Sequence, residues 1–255
     1  MKTTRLQFLF TLVLFAAAVA WFFLPHGNLR FTLAFPAAVL ALGSVGLSPW
    51  ALTAALLFCA VGDVMGILGC FPGQMAGFAT AHVFFLLLLV RAVLRLRPRP
   101  NVWVPVAIGV LAALIVVACT VVPGVPGVAL KVGCMVYATL LLSVSAFSLM
   151  AACVGFRTPP TASQPPTASQ PPTASQPLTA SQPYMVSLPL AGWQAIAAAV
   201  GAAMFVFSDF VLAWNRFVER VPHAHYLIMC TYYAALLLLF LALISRHCIA
   251  RKKDV

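Results

Sequence analysis

Eight stretches of this chain are long and apolar enough to cross a bilayer, at roughly 6–24, 29–47, 50–69, 73–92, 101–122, 129–153, 186–214 and 226–247. A helix rises ~1.5 Å per residue, so about 20 apolar residues match a hydrocarbon layer ~30 Å thick. The sequence is 63% hydrophobic and 7% charged, far from the balance of a soluble domain. The expected fold is an all-α membrane protein of eight transmembrane helices. Pro25-His26-Gly27, Pro49, Pro72-Gly73, Pro98 to Pro100, Pro123 to Gly127 and Pro222 supply the loops. Pro36 and Pro105 fall inside apolar runs, where proline kinks a helix or marks its end. Lys2, Arg5 and Ala18-Val19-Ala20 imitate a signal peptide. The run continues through Trp21-Phe22-Phe23-Leu24, however, and is expected to stay as the first helix.

The net charge of +11 comes from basic residues at helix ends, which suits lipid headgroups and not nucleic acid. With the N-terminus cytoplasmic, Lys2, Arg5, Arg91, Arg95, Arg97, Arg99, Arg157, Arg246, Arg251, Lys252 and Lys253 lie inside. Only Arg30, Lys131, Arg216 and Arg220 lie outside, and an even helix count returns the C-terminus to the cytoplasm. Short loops suit a bacterial inner (plasma) membrane. Seven cysteines without CxxC spacing read as small apolar residues and not as a disulfide or metal framework.

Residues 158–183 separate helices 1–6 (1–157) from helices 7–8 (184–255), which are expected to pack together as one domain. Within this segment PPTASQ occurs three times and PLTASQ once. Pro-rich and polar, with too little apolar side chain to bury in a core, it reads as a disordered linker whose deletion leaves activity intact.

The chain has four acidic residues, and two of them, Asp63 and Asp209, sit within apolar spans. A carboxylate at mid-helix depth costs about 2.5–3.5 kcal/mol even on the lenient insertion scale. Each acid has a plainer reading, a buried hydrogen-bonding group that locks two helices. Intramembrane acids more often mark a site or a pathway. Depth strengthens that reading. Asp63, His82, Asp209, Tyr232 and Tyr233 each lie between five and nine residues from the outer end of their helix. At ~1.5 Å per residue all fall roughly 8–14 Å below the outer surface. Gly62-x3-Gly66 and Gly73-x3-Gly77 offer small faces on which helices three and four can pack beside Asp63. Arg216 follows Asp209 by seven residues on the same helical face, placed for a lipid phosphate or for solvent. His223 and His225 read as loop residues, Trp214 and Tyr226 as interfacial anchors.

VGDVMGILGCFPGQMAGFATAH resembles the GD…GxxxFxxxH helix pair of the lysoplasmalogenase (YhhN-like) membrane proteins. GAAMFVFSDFVLAWNRF, followed by VPHAHYLIMCTYYAA, resembles that family's SD…NxF helix and TYY helix. The resemblance implies Asp63, His82, Asp209, Asn215, Thr231, Tyr232 and Tyr233 as site residues. Phe35, Phe85 and Leu236 stand where the family often carries a polar group. The implied reaction is hydrolysis of the vinyl ether bond of a lysoplasmalogen, giving a fatty aldehyde and glycerophosphoethanolamine or glycerophosphocholine. No cofactor and no metal are implied, and the partners are the lysolipid and the bilayer, with a homo-oligomer left open. Vinyl ether hydrolysis passes through an oxocarbenium ion, for which glycosidases use two carboxyls. Two neighbouring acids in a low-dielectric site do not readily both ionise. Asp63 and Asp209 are therefore expected to act as a coupled pair, with His82, Tyr232 and Tyr233 orienting water or substrate and Asn215, Arg216 and Thr231 binding the lipid. Two other readings stay open: a proton-coupled transporter or lipid-binding protein, and a metal-dependent lipid amidase or lipase using Asp63, His82, Asp209 and His223 or His225.

Overall fold

A computed structural model describes residues 2–24, 30–96, 100–155, 190 and 192–244. The linker 159–183, the Pro25-His26-Gly27 loop and the basic residues Arg97, Arg99, Arg157, Arg246, Arg251, Lys252 and Lys253 lie outside the described residues. The described chain is helical: α1 Lys2–Phe23, α2 Phe35–Ser44, α3 Trp50–Ile67, α4 Phe71–Leu96, α5 Pro100–Thr120, α6 Val128–Gly155, α7 Trp193–Phe217 and α8 Ala224–Leu243. Short 3-10 turns at Arg30–Ala34 and Val122–Gly124 precede α2 and α6. Seven of these helices are long and apolar enough to span a membrane, which makes the chain an integral membrane protein. The exception is the second expected span. Its run begins as the 3-10 turn, and the α-helix proper starts only at Phe35-Pro36 and lasts 10 residues. Pro36 has no N–H to give, so it sits in the first turn, where that donor is not needed. Pro105 remains inside α5, one turn and a half from its start.

Two tight hairpins, α3–α4 and α7–α8, form the centre, and α6 packs against both α4 and α7. The α1 and α2 helices cover the α3 side, and α5 lies against α6. The α3–α4 hairpin turns at Gly69, which takes φ 73° while Cys70 N–H reaches back to Met65 O at 2.9 Å. Only glycine enters that left-handed region without a steric cost, which makes it the natural helix stop. The two helices then meet through glycine, as the GxxxG spacing suggests. A Cβ added at Gly77 would lie 2.8 Å from Gly62 Cα, so any side chain there would force the helices apart. Polar ties hold the outer elements: Gln7 Nε2 donates to Val45 O at 2.8 Å, and the Ser44 and Thr53 hydroxyls meet at 2.7 Å. Gln194 Nε2 and Ser208 Oγ, both on α7, donate to Ala242 O and Ile228 O of α8. In the bilayer such bonds and close packing take the place of hydrophobic collapse, since lipid is as apolar as leucine.

Candidate active site

The shared depth read from the sequence becomes a shared interior. Asp63 on α3, His82 on α4, Asp209 on α7 and Tyr232 and Tyr233 on α8 are all buried. Tyr232 Oη donates to Asp63 Oδ2 at 2.9 Å, joining α8 to α3. Asp209 accepts a hydrogen bond from the hydroxyl of Tyr137, which comes from α6. Each carboxyl thus has its own phenol from another helix. The two carboxyls do not bond each other.

His82 stands between the pairs. Its Nδ1 lies 2.7 Å from Phe78 O. A carbonyl oxygen only accepts, so Nδ1 carries the hydrogen and Nε2 of the neutral ring is the acceptor. That Nε2 is buried without a hydrogen-bond partner. The imidazole packs edge-on to Phe205 (4.7 Å between centroids) and to Tyr137 (5.6 Å), and Phe205 in turn meets Tyr232 at 5.4 Å. A continuous row of rings therefore runs from the Asp63 pair to the Asp209 pair.

A cavity of about 100 Å³ lies among α4, α5, α6 and α7. Its walls are apolar, with Phe71, Met75, Phe78, Leu141 and Phe210 prominent, and its titratable wall groups are Asp209, Tyr137 and Cys134. Asp63 and Tyr232 are not part of its wall. Phe78 both lines the cavity and packs against Tyr232 at 5.7 Å.

The remaining expected site residues fall elsewhere. Tyr233 Oη donates to Leu33 O at 2.9 Å, tying α8 to the turn before α2. Asn215 Oδ1 accepts Val221 N–H at 2.9 Å and so fixes the α7–α8 loop. Thr231 Oγ1 bonds to Leu227 O and Ile228 O within its own helix. Arg216 lies over the Phe71 ring, 4.5 Å from guanidinium carbon to centroid, beside a wall residue of the cavity. His225 packs on Phe22 and Tyr226. Among the described residues no three of His, Cys, Asp and Glu come together as a metal-holding group. Of the three departures from the family pattern, Phe35 is 44% exposed and outside the site, whereas Phe85 and Leu236 are fully buried, Phe85 against His82. Tyr137 is the residue that the sequence reading passed over.

The profile of the YhhN family matches residues 4–243 of this chain. The chain belongs to the YhhN family. Local similarity connects this YhhN-family protein to human lysoplasmalogenase TMEM86B, 50% identical over 54 residues, which cover 20% of this chain and 24% of the relative. The rat lysoplasmalogenase TMEM86B is 52% identical over 52 residues, 20% of this chain and 19% of the relative. Human lysoplasmalogenase TMEM86A is 42% identical over 62 residues, 23% and 26% of the two chains. The similarity spans about a quarter of the length of these curated relatives. No solved structure matches the chain at a significant level.

Proposed function

We propose that this protein is a membrane-embedded hydrolase that cleaves the vinyl ether bond of lysoplasmalogens, with Asp63 and Asp209 acting as a coupled pair. The observation that carries the reading is the pair itself: two buried carboxyls, each held by a phenol and linked by a row of rings through His82 and Phe205, one of them on an apolar cavity. The names of the relatives support the substrate class.

The chemistry follows from the groups present. A protonated carboxyl gives its proton to the vinyl carbon distal to the ether oxygen, and the alkene electron pair becomes the new C–H bond. The adjacent carbon is left as an oxocarbenium ion, which the negative charge of the carboxyl pair stabilises in a low-dielectric surrounding. Water adds to that carbon and returns a proton to the pair. The hemiacetal then breaks its bond to the glycerol oxygen, which leaves as an alcohol, and the aldehyde is released. His82, packed against Tyr137 but not part of the cavity wall, is suited to position the phenol that holds Asp209.

The topology we infer has eight crossings with both ends cytoplasmic. The 3-10 turn and α2 together extend roughly 25 Å, at ~2.0 Å and ~1.5 Å per residue, which approaches the hydrocarbon thickness. Arg216 then stands at the outer rim of the cavity, over Phe71, where a lipid phosphate would lie. The test of the function is fatty aldehyde release from a synthetic lysoplasmalogen by purified protein in detergent, with the Asp63→Asn/Asp209→Asn double variant as the blank. Aldehyde from the wild type alone is the expected result. A folded wild type that releases none contradicts the reaction and turns attention to other lipids or to transport.

A further inference from the structure

The two carboxyl–phenol pairs differ in what they can touch. Asp209 and Tyr137 line the cavity, and Asp63 and Tyr232 stand behind Phe78 and Phe205. Asp63 is 2% exposed and Asp209 8%, so the difference lies in the cavity and not in contact with the surroundings. An engineered cavity of ~150 Å³ holds one benzene. A cavity of about 100 Å³ therefore takes a segment of a lipid a few atoms long, not the whole chain.

We propose that this cavity holds the reacting vinyl ether segment, that Asp209 delivers the proton, and that Tyr137 is a further catalytic residue, while Asp63 and Tyr232 are positioning residues acting from behind the aromatic wall. The inference rests on the hydrolase reading above and assigns roles within it. Tyr137 bonds Asp209 Oδ2, which leaves Oδ1 as the oxygen that holds the proton to be transferred. Once the proton has gone, the Tyr137 hydroxyl remains as donor to the carboxylate, so the charge formed on Asp209 is met by a bond already in place. The Tyr137 ring also packs against His82, which is not part of the cavity wall, so the phenol lies between the cavity and the imidazole ring. No proton leaves the site in this cycle, because the water that adds returns one to Asp209. Asp63, through its bond to Tyr232, ties α3 to α8 behind Phe78 and Phe205 and so holds that wall in place.

Two measurements on the full-length protein in detergent test this. The first is labelling by dicyclohexylcarbodiimide, an apolar reagent for protonated carboxyls, mapped by mass spectrometry with and without a saturated ether lysophospholipid that cannot be cleaved. Label on Asp209 should fall at least five-fold with the ether lipid, and label on Asp63 should be lower throughout and insensitive to it. Asp209 left unlabelled, or labelled equally with and without the lipid, overturns the assignment. This arm needs no turnover, so it tests the cavity even if the wild type releases no aldehyde. The second is kinetic. Tyr137→Phe should lower kcat at least ten-fold with KM within two-fold and an unchanged elution profile. Wild-type kcat in that variant, beside an active wild type, overturns the role of Tyr137 and leaves the hydrolase reading standing.

Discussion

Asp63 and Asp209 are the same device built twice, and the difference between the copies lies in the third helix. In each case an acid about one to two turns from the C-terminal end of its helix takes a tyrosine hydroxyl from another helix. Asp63 receives Tyr232 from α8, and neither side chain lines the cavity among α4, α5, α6 and α7. Asp209 receives Tyr137 from α6, whose neighbour α5 lies further out, and a cavity opens between them. Two carboxyls of equal intrinsic chemistry are thereby given unequal access to a substrate. Glycosidases separate acid and stabilising carboxyl by their surroundings in the same way.

The largest effects should come from removing either acid. Asp209→Asn is expected to lower kcat by about 10²–10⁴, the usual contribution of a positioned proton donor. Asp63→Asn should also lose activity, since it removes one member of the coupled pair and the group that Tyr232 holds. Aldehyde release per folded protein measures both, and full activity in either variant breaks the idea of a pair. Gly77→Val comes next, because a Cβ there meets the backbone of α3. A stability loss of about 1–3 kcal/mol is expected from the overpacking. Thermal denaturation in detergent would read it, and activity should fall with it as Asp63 is displaced.

Stability also separates the two phenols. Tyr232→Phe leaves a buried carboxyl without its donor, which typically costs about 1–3 kcal/mol. Tyr137→Phe leaves a carboxyl on a cavity, where water can take the place of the lost hydroxyl, so its melting temperature should fall less. Equal losses in melting temperature for the two variants would erase the contrast between a sealed pair and an accessible one.

Much of this arrangement was legible in the sequence because helical rise is fixed. Counting residues from helix ends placed Asp63, His82, Asp209 and Tyr232 in one layer, and the GxxxG spacing marked the α3–α4 contact. Tyr137 obeys the same count: it lies nine residues after Val128, as His82 lies nine after Gly73. It was passed over because a lone tyrosine in an apolar helix carries no motif. The second apolar run divides into a 3-10 turn, Arg30–Ala34, and a 10-residue α-helix from Phe35, a division that hydropathy does not register. Nor does it rank helices by centrality. The most apolar span, α5, has 6% of its window buried, against 50% for α4 and for α8. In lipid an apolar surface gains nothing by burial, so small and polar residues decide which helices meet. Asn215 and Thr231 show the converse limit. Their motif positions are clear, yet their side chains are occupied by local backbone bonds, which only coordinates reveal.

The smallest effect should come from the rim, and it bears on which pair the lipid approaches. Arg216 sits over Phe71, an aromatic wall residue on the Asp209 side, and has no part in the Asp63 pair. If the headgroup docks there, its phosphate gains an arginine contact in the ground state and in the transition state alike. Such uniform binding affects KM and leaves kcat alone. Arg216→Ala should therefore raise KM several-fold at unchanged kcat, and Arg216→Lys should recover part of the loss by keeping the charge while losing the planar fork. Raised salt should weaken the wild type more than the alanine variant, because an exposed ion pair is screened. An unchanged KM in Arg216→Ala would detach the headgroup from this rim and remove the external support for Asp209 as the carboxyl that meets the lipid.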